Sequence, residues 1–239
     1  MKPLSAVLAL LALPVAGALA LAGGGNDAPA AAAAPAGRLH VVELFQSQGC
    51  SDCPPAEANL NAIANDPNVL ALSYGVTYWD KLGWKDTFAT PQFTARQWEY
   101  AKKRGRGQVW TPQVYVDGQA DLVGSNRGEL DRTIAAARAS GPAVAIGGGR
   151  VTLGAGTARV PATVWVVRYD PRTLNVPIRA GENGGRTLPH RNIVRALTAV
   201  GRWTGPRASF ALPPAAPGLA TAVLVQDGTG GAIIAAAKG

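Results

Sequence analysis

The chain has 239 residues, 47% of them hydrophobic, with a formal net charge of +8. A core of this size needs no disulfide to hold it together, and the length allows one large domain or two small ones. The basic residues are scattered, and the densest group, Lys102, Lys103, Arg104 and Arg106, marks a helix end, where positive charge complements the helix dipole. No base-reading motif occurs, so we do not expect nucleic-acid binding.

Residues 1–20 predict a signal peptide. Lys2 supplies the positive n-region, residues 6–16 are apolar apart from one proline, and Ala18, Leu19 and Ala20 form a small-x-small cleavage site. The apolar run is too short to span a bilayer, and no later segment reaches the roughly 20 apolar residues of a transmembrane helix. We therefore expect a periplasmic or secreted protein with no transmembrane segment after cleavage. Residues 21–37, almost entirely Ala, Gly and Pro, predict a disordered tether.

Residues 38–141 alternate between strand-like and helix-like patterns. An apolar strand at 39–45 is followed by two cysteines and by a helix that Pro54 and Pro55 begin. After an insertion at 77–107, which carries a helix from about 91 to 104, a closing helix begins with Asn126 as its N-cap. The order β-α-β, insertion, β-β-α predicts an α/β domain. Its other strands are predicted at 68–76, 112–118 and 119–124.

Beyond Pro142 the pattern changes to short strands separated by Pro and Gly clusters. Such a pattern predicts a small all-β, sandwich-like domain at 142–239, with a boundary near residue 141. Two interpretations stay open for the polar segment GENGGRT with His190, Arg191 and Asn192: it binds a partner or touches the redox face, or turn chemistry alone explains its glycines and asparagines. We assign no site to it. The predicted strands of this half are a hairpin over 143–154 and single strands at 162–170, 208–212 and 220–228.

The two cysteines, Cys50 and Cys53, lie between the first strand and the first helix. Unpaired amides and the dipole at a helix N-terminus favour thiolate over thiol, so we expect Cys50 to be the nucleophile and Cys53 the resolving thiol. Asp52 opposes this effect by its negative charge. A structural disulfide is the competing interpretation, although a CxxC bridge closes a very short loop and constrains the unfolded chain little.

Metal binding is a third interpretation of the pair. The chain has only His40 and His190 as further soft or borderline ligands, whereas a closed zinc site takes four. Two thiolates suit copper(I), with His190 as a remote third ligand, so a copper-handling module remains an alternative. We assign no metal site and no cofactor, because in thiol exchange the electrons come from a partner.

Thr111 and Pro112 open the third predicted strand. Proline is excluded from most strand positions except the first, and in redox folds with this order of elements the preceding peptide bond is cis, which presents the backbone to an incoming chain. Taken alone, a trans strand-entry proline is commoner. Together with the strand, CxxC and helix before it, the segment predicts a cis bond between Thr111 and Pro112.

Glu43 interrupts the apolar strand just before the cysteines. Two interpretations stay open: a buried carboxylate that accepts the proton of Cys53 through water, or a residue that faces solvent at alternate strand positions. Five residues of the insertion either line a groove over the cysteines or pack the insertion onto its own domain: Trp79, Asp80, Trp84, Lys85 and Asp86.

Four segments resemble a known family, the exported thioredoxin-like proteins grouped as domain of unknown function 1223. They are VVELFQSQGCSDCPPAEANL, LSYGVTYWDKLGWKDTFATPQFTARQWEYA, TPQVYVDG and VPIRAGENGGRTLPHRNIVR. The resemblance implies a thioredoxin-like fold with an appended β-domain and no assigned activity. With the cysteine pair it favours thiol-disulfide exchange with a protein partner, in which Thr111 and Pro112 hold the partner's backbone. The alternative is a binding or copper-handling module with a structural or metal-ligating pair.

Overall fold

The computed structural model describes Met1 and residues 39–138 and 140–239. The predicted signal peptide, beyond Met1, and the predicted tether lie outside these residues. From residue 39 onward the described chain belongs to one compact unit. Within the described ranges, no helix has the length and apolar character needed to cross a membrane.

The first half follows the predicted order of elements. Prolines occupy the first turn of α1, Thr90 caps α2 by accepting a 3.2 Å hydrogen bond from the Phe93 amide, and Asn126 caps α3. These caps satisfy amides that the first helical turn leaves unpaired. The elements are β1 (His40–Gln46), α1 (Cys53–Ile63), β2 (Val69–Gly75), a 3-10 helix (Thr77–Leu82), α2 (Pro91–Lys103), β3 (Gln113–Val116), β4 (Ala120–Leu122) and α3 (Arg127–Ala136).

The second half consists of strands, four of which the sequence did not predict: β8, β9, β10 and β13. The predicted hairpin and the three predicted single strands are present. The elements are β5 (Val144–Gly147), β6 (Arg150–Leu153), β7 (Ala162–Asp170), β8 (Leu174–Pro177), β9 (Thr187–His190), β10 (Ile193–Trp203), β11 (Ala208–Ala211), β12 (Ala220–Asp227) and β13 (Ile233–Lys238).

One eight-stranded mixed sheet runs through both halves, in the order β13-β12-β7-β10-β2-β1-β3-β4. The halves meet where Ile193 of β10 pairs in parallel with Ser73 of β2. Asn192 secures this junction, because its carbonyl accepts a 3.0 Å hydrogen bond from the Ser73 amide and its side chain donates one of 2.8 Å to the Ala71 carbonyl. The expected boundary at residue 141 therefore falls between strands of a shared sheet.

Different layers cover the two faces of the large sheet. On one face α2 packs through Phe93 and Tyr100 against strands of both halves. On the other face α1 and α3 cover the first half, and the three-stranded sheet β11-β6-β5 covers β7 and β12. The fold is thus mixed α/β, as the first half predicts, and its second half is a sandwich only in this local sense. A two-stranded sheet, β8-β9, adjoins α1.

Candidate functional site

Cys50 and Cys53 form a disulfide at the start of α1, with their Cα atoms 5.4 Å apart. Cys53 is the first helical residue, and each cysteine is only 1% exposed. The Cys50 amide donates to the Ser47 carbonyl at 3.1 Å and the Cys53 amide donates to the Cys50 carbonyl at 3.2 Å, so the loop between strand and helix is a tight turn. The pair therefore occupies the helix N-terminus that the sequence predicts for it.

The peptide bond between Thr111 and Pro112 is cis, which confirms the prediction. Pro112 directly precedes Gln113, which pairs with Phe45 near the end of β1, where the chain turns toward Cys50. Thr111 is held from the other side, because its hydroxyl oxygen accepts a 2.7 Å hydrogen bond from the Trp79 indole. A methyl group on Gly49 would lie 3.8 Å from the Cβ atom of Trp79. Trp79 thus lies between the cysteine loop and Thr111.

The insertion also holds the residues just before Cys50. Asp86 accepts a 2.7 Å hydrogen bond from the Gln48 amide, and the Trp84 indole donates one of 2.9 Å to the Gln48 side chain. Burial raises the pKa of Asp86, and the hydrogen bonds from the backbone amides of Gln48 and Phe88 oppose that rise. The insertion therefore packs against the residues just before Cys50 through Trp79, Trp84 and Asp86, as the interpretation of packing onto its own domain expects.

The loop between β8 and β9, residues 178–186, covers the cysteine loop from the second half of the chain. The buried side chain of Asn183 donates hydrogen bonds to the carbonyls of Gln48, at 2.9 Å, and Cys50, at 2.8 Å. Glu182 accepts hydrogen bonds from the hydroxyl and the amide of Ser51, at 2.7 and 3.0 Å, and these bonds lower the pKa of Glu182. This contact agrees with the interpretation in which the segment touches the redox face, although no site residue was assigned in it at the sequence level.

Glu43 is buried, but it lies on the face of the sheet opposite to α1. Its neighbours on alternate strand positions, Val41 and Phe45, pack in the cluster that contains α2, whereas Val42 and Leu44 pack against α1. Its carboxylate pairs with Arg96 at 2.8 Å and accepts a short hydrogen bond from the Tyr100 hydroxyl. The solvent-facing interpretation of Glu43 is therefore wrong. Glu43 is buried, as the other interpretation expects, but its carboxylate lies on the sheet face away from α1 and is paired with Arg96.

A different carboxylate, Glu57, lies on the side of α1 that carries Cys53. The two residues are four positions apart on one helix face, and Glu57 is 4% exposed. Its Oε1 atom lies 2.7 Å from Nδ1 of His190, and the Ser73 hydroxyl is 3.5 Å from the same oxygen. Glu57 was missed at the sequence level, where its only signal was the spacing from Cys53.

His190 is fully buried at the end of β9, not exposed in a polar loop. Its Nε2 atom has no hydrogen-bond partner in the part of the chain that the structure describes. Burial lowers the pKa of His190, but the neighbouring carboxylates of Glu57 and Asp86 raise it by more, so its pKa lies above the ordinary value. His190 is thus hydrogen-bonded to a buried carboxyl group whose negative charge favours the protonated imidazole. Among the described residues, no group of three or more His, Cys, Asp and Glu side chains is arranged to hold a metal ion.

A cavity of about 230 Å³ lies between α1 and β9 and brings Cys53 and Glu57 together. Gln46 belongs to its wall, and the buried Oε1 atom of Gln46 has no hydrogen-bond partner within residues 39–138 and 140–239. Arg186 belongs to the wall on the β9 side. The complete wall comprises Gln46, Ser47, Cys53, Pro54, Glu57, Ala58, Arg186, Thr187, Leu188 and Pro189.

Comparisons with known proteins agree with this architecture. The chain is similar to the crystal structure of protein AGR_C_4864 from Agrobacterium tumefaciens, with a TM-score of 0.71, 29% identity, and coverage of 84% of this chain and 94% of that one. It shares its fold with HBP35 of Porphyromonas gingivalis, with a TM-score of 0.53, 12% identity, and coverage of 84% and 74%. No curated protein matches. The family model described as a protein of unknown function, DUF1223, matches residues 41–226, and the chain belongs to this family.

Proposed function

We propose that the protein exchanges a dithiol and a disulfide with a protein partner through Cys50 and Cys53. The observation that carries this proposal is the position of the Cys50–Cys53 disulfide at the N-terminus of α1. A helix N-terminus stabilises the thiolate that exchange requires. The bridge spans a sequence separation of only 3, so it contributes little to the stability of a chain with this core.

A thioredoxin-like arrangement of the first half is part of the proposal. β1 pairs in parallel with β2 and antiparallel with β3, and β3 pairs antiparallel with β4. With α1 after β1 and α3 after β4, this order supports a thioredoxin-like domain into which α2 and the 3-10 helix are inserted. Export to the periplasm or the exterior, which residues 1–20 predict, places the pair where disulfides persist.

The exchange proceeds in two steps. A thiolate of the partner attacks Cys50, the bond between Cys50 and Cys53 breaks, and Cys53 leaves as a thiolate that takes up a proton. The partner's second thiolate then attacks the first partner sulfur, which is bonded to Cys50 in the mixed disulfide, and Cys50 is released. The partner loses two electrons and becomes a disulfide, and the Cys50–Cys53 pair gains them. Run in reverse, the same steps reduce a disulfide of the partner and oxidise the Cys50–Cys53 dithiol to its disulfide.

The partner reaches Cys50 from the side of Ser51 and Asp52, which are exposed. Thr111 and Pro112 offer backbone contacts there. Because Cys50 is almost fully covered, part of its surroundings must move before a partner sulfur reaches it, and we propose that residues 182 and 183, which bond to Ser51 and to the Cys50 carbonyl, are the part that moves. Only partners that displace the 178–186 loop therefore reach the disulfide.

Trapping of mixed disulfides tests these roles. A Cys53→Ser variant retains the nucleophile and loses the resolving thiol, so it accumulates mixed disulfides with partner proteins. A Cys50→Ser variant does not. Gels run with and without reductant, followed by mass spectrometry, identify the trapped proteins. Equal trapping by both variants, or none by either, would contradict the proposed assignment of nucleophile and resolving thiol.

A further inference from the structure

We propose that Glu57 donates and accepts the proton of Cys53 through water in the cavity beside α1, and that His190 positions Glu57 for this role. This inference rests on the proposed exchange function and concerns one step of it. It gives β9, and with it the second half of the chain, a part in the thiol chemistry.

The first argument is shared access. Cys53 and Glu57 line the same cavity of about 230 Å³, a volume that holds several water molecules. Gln46 belongs to the wall of the same cavity, and its buried Oε1 atom has no hydrogen-bond partner among the described atoms. Water placed there can bond to Gln46 and pass a proton between Glu57 and Cys53. Glu43 has no such access, because it lies on the other face of the sheet in its ion pair with Arg96.

The second argument is the need for a proton. When the disulfide opens, Cys53 leaves as a thiolate that is 1% exposed, and a buried charge without a partner is costly. The proton for this thiolate passes from His190, whose Nδ1 atom faces Glu57, to the Glu57 carboxylate and on through cavity water, and solvent then returns a proton to the pair. In the reverse direction Glu57 takes the proton from Cys53, and the resulting thiolate attacks the mixed disulfide. Each proton that one group of the site releases is thus taken up by another, and exchange with solvent afterwards resets their protonation.

Charges from every neighbouring element act on this pair. Cys53 and Glu57 come from α1, and Asp86 comes from the insertion close to both Glu57 and His190. Arg186 lines the cavity from the 178–186 loop. On the remaining side the Phe88 ring packs edge-on against His190, with its centroid 5.7 Å away, and separates the histidine from Arg195, which stacks on the same ring.

The ring-closing step of oxidation by glutathione disulfide tests the role of Glu57. In the reduced mature chain, Cys50 attacks glutathione disulfide in a second-order step, and Cys53 then closes the disulfide in a first-order step. We expect Glu57→Gln to slow closure by about 10-fold or more near neutral pH, because general-base help is lost. The variant also loses the solvent deuterium isotope effect on closure, while the attack by Cys50 is unchanged. Glu57→Asp restores part of the closure rate.

The role of His190 has its own readout and a matched control. His190→Gln shifts the pH profile of closure, because the charge that holds Glu57 is removed. His40→Gln is the control, since His40 makes the same kind of pair, Nδ1 to Asp117 Oδ2 at 2.8 Å, in another part of the sheet. Glu129→Gln controls for loss of an exposed carboxylate. Neither control changes the profile.

The outcomes separate this inference from the proposed function. Closure within about twofold of the wild type in Glu57→Gln at all pH values overturns the role of Glu57, even if exchange itself is normal. A wild-type chain that does not react with glutathione disulfide contradicts both the exchange function and the inference. Far-ultraviolet circular dichroism shows whether Glu57→Gln folds. If it does not, the closure rate of Glu57→Asp and the pH profile of His190→Gln test the role of Glu57 instead. Unchanged closure in both overturns the inference.

Discussion

The side-chain amide of Asn183 donates a 2.8 Å hydrogen bond to the carbonyl oxygen of Cys50, across 133 residues of sequence. It donates a second bond, of 2.9 Å, to the carbonyl of Gln48. One buried side chain of the second half thus holds the 178–186 loop on the cysteine loop of the first. Access to the disulfide and the docking of the two halves are therefore linked at this residue.

Loss of Asn183 is expected to expose the disulfide. Asn183→Ala removes both bonds and leaves the Gln48 carbonyl without a partner among the described residues, which costs about 1–3 kcal/mol in the free energy of unfolding, while the Cys50 carbonyl keeps its bond from the Cys53 amide. The loosened loop speeds reduction of the disulfide by dithiothreitol by at least about threefold, because local opening becomes easier. Stopped-flow tryptophan fluorescence measures this rate. The control is Asn175→Ala, an exposed residue of β8. A reduction rate equal to that of the wild type would contradict the covering role of the loop.

The ion pair of Glu43 and Arg96 is expected to matter for stability and not for thiol chemistry. Both side chains are buried, so Glu43→Leu leaves a guanidinium without its counter-charge and lowers the free energy of unfolding by about 3–5 kcal/mol. The double variant with Arg96→Met loses less, since neither charge remains. Urea unfolding measures both. A single-variant loss below about 1 kcal/mol, or a changed equilibrium with glutathione, would show that this pair acts otherwise.

The contribution of His190 to stability is expected to fall as pH rises. Its pKa in the folded chain lies above the ordinary value, so folding favours the charged form. The stabilisation is fully present below the unfolded value of about 6.5 and disappears as pH rises through the folded pKa. The difference in free energy of unfolding between the wild type and His190→Gln should therefore be larger near pH 5.5 than near pH 8.5. Urea titrations at both pH values measure it, and a difference that grows with pH contradicts the assigned charge.

Gly75, the last residue of β2, is expected to tolerate no side chain. A methyl group there would lie 2.8 Å from the Ala89 amide nitrogen and 2.9 Å from the Ala89 Cα atom. Because these are backbone atoms, Gly75→Ala forces the segment that carries Asp86 to shift and costs about 1–3 kcal/mol. Thermal unfolding measures the loss. Gly107→Ala is the control, since its Cβ position has no atom within 4 Å. Equal stability of both variants would refute the close approach.

Strands with continuous apolar runs were predictable, and β10 shows why others were not. β1, β7 and β12 are covered on both faces, so their sequences are apolar along most of their length. β10 carries charged residues and two register shifts, which break the alternation of buried and exposed positions. Since β10 is the strand that joins the halves, the sequence predicts two separate domains where the structure has a continuous sheet.

The cysteines and Pro112 were predictable because their signals are local, whereas the partners of the site are not. Glu57 resembles any carboxylate on the solvent side of a helix until His190, 133 residues later, is placed against it. Glu43 illustrates a different limit. Alternation along β1 shows which residues share its face, but it does not show that α2, and not α1, covers that face.

Equilibration with glutathione tests the central claim most directly. The oxidised mature chain is incubated with mixtures of reduced and oxidised glutathione, quenched with a thiol-alkylating reagent and weighed by mass spectrometry. We predict one reversible transition between the Cys50–Cys53 disulfide and the dithiol, with the chain folded in both forms. The reason is that the reduction potential of a redox-active pair falls within the range that glutathione mixtures cover. A disulfide that stays intact in every mixture, or a chain that unfolds when the disulfide is reduced, would show that the bridge is structural.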